Sequence, residues 1–187
     1  MTAPALRTED ALLYATRDLL RQSSLFRDED VNVEYDEMAP NLTGHKYVAV
    51  VPGDCSPGPS HNTSGGVIDQ YVSIQVVVII RCQDFPKDRM RDKFFVNNRT
   101  ITQYTSEVMK YVDFSYDLLT VANAWLVSNE GTPQSGYPFV EPLKWAGHSK
   151  PRAVGAEFFD SRSAGGGTPH GLLRTINFAR ARRIVSR

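Results

Sequence analysis

The residue types that could do chemistry in this chain are few and widely spread. Four histidines, His45, His61, His148 and His170, stand singly in turn-like segments, and the two cysteines, Cys55 and Cys82, have no CxxC spacing and no adjacent histidine. Zinc sites and redox pairs need such groupings. The run Asp28, Glu29, Asp30 and the later pair Asp36 and Glu37 supply hard oxygen ligands, but without the spacing of a calcium loop. Such acids also collect at helix ends and turns. The glycine cluster GGGTPHG, residues 165–171, lacks the Gly-Lys-Ser/Thr ending of a phosphate cradle and opens no helix, so it reads as a hairpin turn. No GxSxG or comparable signature brings a nucleophile to a base. The expectation is a non-enzyme with no catalytic residue, no cofactor and no metal. The alternative is a small hydrolase-like enzyme whose site is assembled from residues distant in sequence.

Charge is the more informative signal. Lysine plus arginine number 21 and aspartate plus glutamate 21, so the formal net charge is zero, which argues against a surface that grips nucleic acid throughout. The zero averages two unlike ends. Residues 1–40 carry nine acids against four arginines, and residues 150–187 carry eight bases against two acids. One consequence is two separately solvated surfaces. The sharper one is an acidic region of one copy meeting the basic region of the next, a head-to-tail contact able to close into a ring. Within the basic end, RTINFARARR interleaves Arg174, Arg180, Arg182 and Arg183 with Phe178. That composition suits a solvated strand end, a protein interface or DNA phosphates.

The elements that must position these charges follow from periodicity. A length of 187 residues and 41% hydrophobic content allow one domain, residues 1–187, with a sizeable core. The longest purely apolar run, Val76 to Ile80, is far too short to cross a bilayer, and the start MTAPALRTED has neither basic nor apolar signal character. No membrane span and synthesis in the cytoplasm are therefore expected. Thr8 can cap a helix whose Leu12, Ala15, Thr16 and Leu19 share a face. VNVEY and KYVAVVP read as two strands of a hairpin-like meander, followed by a long mobile loop at 53–66 that includes Asp54, His61 and Asn62. That loop is a candidate contact arm. A charged connector spans 83–99. Thr100 and Gln103 have capping-box spacing and open a second helix running to about Asp113. NAWLVS, RAVGAEFF and LLRTINFARARRIV read as strands. The predicted class is α+β: a mostly antiparallel β-sheet with two amphipathic helices packed on one face, long loops and a basic C-terminal strand.

The stretch QYVSIQVVVIIRCQDFPKD, residues 70–88, is the most apolar. A period of two puts Val72, Ile74, Val76, Val78 and Ile80 on one face, whose burial is worth on the order of 10 kcal/mol and must carry the helices. The other face starts polar and ends in Val77 and Ile79. Its cover comes either from a neighbouring subunit or from later segments of the same chain.

The order of elements in ALLYATRDLLRQ, YVSIQVVVIIRCQD, TITQYTSEVMKYV and LLRTINFARAR resembles the tail terminator, or tail-completion, proteins of tailed bacteriophages, and more loosely other head-to-tail neck proteins. The resemblance spans most of the chain and rests on element order, not on signature motifs. It implies an α/β sandwich that assembles as a homo-oligomeric ring, a hexamer, on the last ring of the tail tube. There it stops tube growth and docks the head connector. The implied partners are further copies of itself, the tail tube protein and the head–tail connector, with possible proximity to DNA in the lumen and no membrane. The implied location is the virion, after assembly in the host cytoplasm. Another tail-tube or head-closure protein is the runner-up among virion proteins. No active site transfers with the resemblance. Interface roles fall to Asp28, Glu29 and Asp30 facing a neighbour, to the 53–66 loop, and to the basic end. The chain departs from the common pattern by its length, with extra segments at 83–99 and 128–150.

Overall fold

A computed structural model describes residues 8–35, 46–57, 67–82, 90–130, 139–154 and 170–186. In chain order these form α1 (Thr8–Leu20), α2 (Ser24–Asp28), β1 (Asn32–Tyr35), β2 (Lys46–Pro57), β3 (Val67–Cys82), α3 (Met90–Val112), α4 (Tyr116–Glu130), β4 (Phe139–Glu141), β5 (Lys144–His148), β6 (Arg152–Val154) and β7 (His170–Ser186). The strands make one seven-stranded sheet in the order β1-β2-β3-β7, with β4, β5 and β6 following one another end to end along the outer side of β7.

The sheet is mixed. Strands β1 and β2 are parallel, and the other pairings are antiparallel. The hairpin expected for the first two strands is thus corrected. The link over residues 36–45 is longer than ordinary hairpin loops and close to the dozen residues of a crossover. A second correction concerns helix number: the described residues hold four helices where two were expected. NAWLVS belongs to α4 and is not a strand, because Leu118, Leu119, Ala122 and Leu126 recur at helical spacing and are all buried. The second expected helix exists as α3 but begins at Met90, so it absorbs much of the connector.

The long strand is as its pattern predicted. Val72, Ile74, Val76, Val78 and Ile80 are buried in one core cluster with Leu12, Leu13 and Leu20 of α1, Ile101, Tyr104 and Val108 of α3, and Leu118 of α4. A second, smaller cluster of Tyr47, Ala49, Ile79 and Leu173 draws all its members from strands, with Val51 and Val77 partly buried beside it. Its residues alternate along β3 with those of the main core, so it marks the opposite face of the sheet.

The mobile loop expected from residue 53 is corrected over 53–57, which continue strand β2 and pair with β3. In β2 the register shifts between Pro52 and Cys55, and a Cβ added at Gly53 would lie 2.8 Å from the Ser73 carbonyl. Only glycine lets the two backbones approach so closely. Among the described residues no helix is long and apolar enough to cross a membrane.

Candidate functional site

One row of paired residues crosses the sheet from side to side: Tyr35 opposite Val50, Val50 opposite Val76, Val76 opposite Ile176, and Ile176 opposite His148. Strands β1 and β5 therefore flank the sheet at the same level, four inter-strand spacings of about 4.8 Å apart, or roughly 19 Å. Among the described residues neither has a strand on its outer side. An edge strand of this kind presents unpaired backbone groups that can template another chain.

The acidic flank is residues 23–35, with Asp28, Glu29, Asp30 and Glu34 against Arg27 alone. Ser23 caps α2 by accepting from the Phe26 N–H at 3.3 Å and donates to Glu107 Oε1 at 2.6 Å, which ties the helix to α3. Glu29 is the pin. Its Oε2 accepts from Lys46 Nζ at 2.8 Å and from the buried Tyr104 hydroxyl, and Lys46 also donates to the Glu29 carbonyl at 3.2 Å. Those donors hold the Glu29 carboxyl below the usual carboxylate range, first Lys46 and then Tyr104, against a smaller opposing effect of burial. Burial, reinforced by the Glu29 carboxylate, pushes the Tyr104 phenol up. Asp30 follows in the left-handed region at φ 53°, which aspartate tolerates better than most residues. Asp28 and Asp30 are exposed, while Glu34 is paired with Arg21 at 2.7 Å.

The expected basic surface lies elsewhere than its sequence suggested. Strand β7 is interior to the sheet, between β3 and the row β4–β6, so most of its arginines are engaged within the chain. Arg174 is buried; its Nη1 donates to Thr105 Oγ1 at 3.3 Å, its Nε has no partner, and burial lowers its pKa. Arg182 pairs with Glu141 at 2.9 Å, and Arg183 is only 2% exposed. Arg180 alone of the four is exposed, with its guanidinium 5.5 Å from the Tyr71 ring centroid. As candidate interface residues, Arg174 and Arg183 are corrected on this ground: their side chains are enclosed by their own chain. Ile79 is corrected likewise at 2% exposure, and Val77 is half-buried beside it. Asp54 is exposed on β2, and His61 and Asn62, the rest of the proposed contact arm, lie outside the described residues.

The exposed basic flank is instead residues 144–154, KWAGHSKPRAV, with Lys144, Lys150 and Arg152 and no acid. Strand β5 is open to solvent along almost its whole length. Among the described residues the exposed large apolar side chains are Phe114 at 57%, Tyr116 at 68%, Trp145 at 44% and Val140 at 41%, and the first three belong to this flank and the turn bonded to it. Two hydrogen bonds join this corner to the α3–α4 turn. Phe114 N donates to the Leu143 carbonyl at 2.9 Å, and Trp145 N donates to Asp113 Oδ1 at 2.7 Å. Lys144 Nζ lies 5.5 Å from the Phe114 ring centroid, and the Trp145 and His148 rings are 5.7 Å apart. Gly147, at φ 115°, sits where the β5–β7 register shifts, a bulge that re-aims the strand. Sequence reasoning missed this corner. The acid-free stretch with its tryptophan was the available signal, divided between the extra segment 128–150 and the expected strand RAVGAEFF.

No protein-family model matches this sequence, and a search of curated proteins finds no match. Among the described residues no group of three or more His, Cys, Asp or Glu could hold a metal ion.

Proposed function

We propose that this chain is a structural assembly protein of a phage tail or neck that associates head to tail with further copies of itself into a ring, capping the tail tube and docking the head connector. The observation that carries the reading is the opposition of the two sheet flanks: β1 with the α2 turn is acidic, and β5 with β6 is basic. Unlike patches on opposite sides of one protomer generate a heterologous contact, which closes into a ring when the rotation permits. The element order described above supports placing such a ring in a tailed virion, and its action there is geometric, through stacking and closure. The hexameric number, the tube and connector partners and the virion location belong to the same reading.

The test is sedimentation velocity of the purified chain across a concentration series at low and high salt. The reading predicts a discrete oligomer that weakens as salt rises, because exposed charge pairs are screened over about 10 Å at 0.1 M. A monomer at every concentration and salt would contradict it.

A further inference from the structure

Phe114 combines two costs that a folded chain does not ordinarily combine. Its φ of 52° puts a bulky aromatic residue in the left-handed region, and its ring is 57% exposed. The left-handed conformation costs roughly 1–2 kcal/mol for a residue with a Cβ, and glycine would occupy it freely. The ring joins neither apolar cluster; among the described residues, the contacts of Phe114 in the protomer are the backbone bond to Leu143 and the approach of Lys144. What the conformation does achieve is placement. The turn between α3 and α4 brings Phe114 beside Lys144 and is tied to β5 through a backbone bond from Phe114 N to the Leu143 carbonyl and a bond from Trp145 N to the Asp113 carboxylate. Tyr116 follows two residues later and Trp145 N bonds to Asp113, so three exposed aromatic residues gather beside an edge strand open to solvent, a surface here called the platform. Aromatic anchors flanked by charge are the composition of interface hot spots.

We infer that this platform, Phe114, Tyr116 and Trp145 with Lys144, is the anchor that receives the acidic α2–β1 shoulder of a second copy, a proposal that rests on the head-to-tail reading. Charge favours that occupant. The platform's strand has no acid from 144 to 154, and its Lys144, Lys150 and Arg152 outnumber the two acids of the adjoining turn, Asp113, which is bonded to Trp145 N, and exposed Asp117; the shoulder presents Asp28 and Asp30 outward. The shoulder also offers half-buried Leu25 and Val31 for the rings to cover. Its shape is fixed in advance by the Glu29 contacts to Lys46 and Tyr104, so little ordering is needed on contact.

The experiment compares the full chain with Phe114→Gly and Trp145→Ala, each measured twice: melting temperature at low protein concentration, and self-association by sedimentation. Phe114→Gly should melt at or above the wild-type temperature, because glycine relieves the backbone, yet associate about 10-fold or more weakly. Trp145→Ala should melt within a degree or two of wild type and associate weakly as well. Wild-type association with both variants within about twofold of it would overturn the platform while leaving the head-to-tail reading intact. A wild-type chain that never associates would overturn both. A large fall in melting temperature for Phe114→Gly would show that the ring stabilises the protomer, and would also overturn the proposal.

Discussion

Strand β7 and the short strands along its outer side are both basic, yet they present that charge in opposite ways. In β7 the arginines are drawn inward: Arg174 beneath α3, Arg183 enclosed and Arg182 paired with Glu141. Along β5 and β6 the basic side chains Lys144, Lys150 and Arg152 are exposed, among exposed aromatics. The contrast shows that charge counted along a segment is not charge offered to a partner. What decides is whether the strand is interior to the sheet or at its flank. Phe178 and Trp145 make the same point side by side, as register partners on β7 and β5 that are 2% and 44% exposed.

That pair gives the sharpest way to break the comparison. Phe178→Ala should destabilise the chain by about 3–5 kcal/mol in urea unfolding, the usual cost of truncating a core aromatic, whereas Trp145→Ala should fall within about 0.5 kcal/mol. Equal losses would mean the flank is core after all. The acidic side has its own interior test. Tyr104→Phe removes a buried donor to a carboxylate and should cost about 1.5–3 kcal/mol at neutral pH.

Its pH dependence has a defined sign. The Glu29 carboxyl is lowered in the folded chain, so its contribution is complete above about 4.3, the value expected when unfolded, and disappears as pH falls through the lower folded value. The Tyr104→Phe deficit should therefore shrink below about pH 4 when melting is followed against pH. A deficit constant to pH 2 would remove Glu29 from the account. A smaller effect, opposite in direction, is expected for Arg174→Met. The guanidinium leaves Nε unmet, and Thr105 Oγ1 keeps its own bond to the Ile101 carbonyl at 2.7 Å. Replacement by an apolar chain of similar length should stabilise by about 1–2 kcal/mol or be neutral. Clear destabilisation would mean that this arginine has a structural role the hydrogen bonds do not show.

Much of the architecture was readable because strong periodicity leaves one solution. The alternation in β3 named its buried face residue by residue, and α1, β1 and β7 lie where their patterns placed them, while β2 begins as expected but runs five residues into the expected loop. The reading failed where neighbours in space, not in sequence, make the decision. NAWLVS has strand-like residues, and only the longer repeat from Leu118 to Leu126 shows the helix. The parallel pairing of β1 with β2 depends on a connection whose composition resembles any turn. Asp28 and Asp30 were placed at the surface by sequence, but the use of Glu29 as an internal pin required Tyr104, distant by 75 residues. The exposed basic side chains were expected on β7, where Arg174 and Arg183 are buried, because strand order is invisible to a charge count.

The central claim, that opposite flanks of the sheet carry complementary surfaces, is tested most directly by complementary reversal. One variant carries Asp28→Lys and Asp30→Lys, giving two basic flanks; the other carries Lys144→Glu and Lys150→Glu, giving two acidic flanks. Sedimentation of each alone and of their equimolar mixture reads the answer. The account predicts that each remains monomeric by itself and that the mixture assembles with both variants in equal proportion. Unchanged self-association of either variant alone, or a mixture that stays monomeric while the wild type assembles, would contradict it.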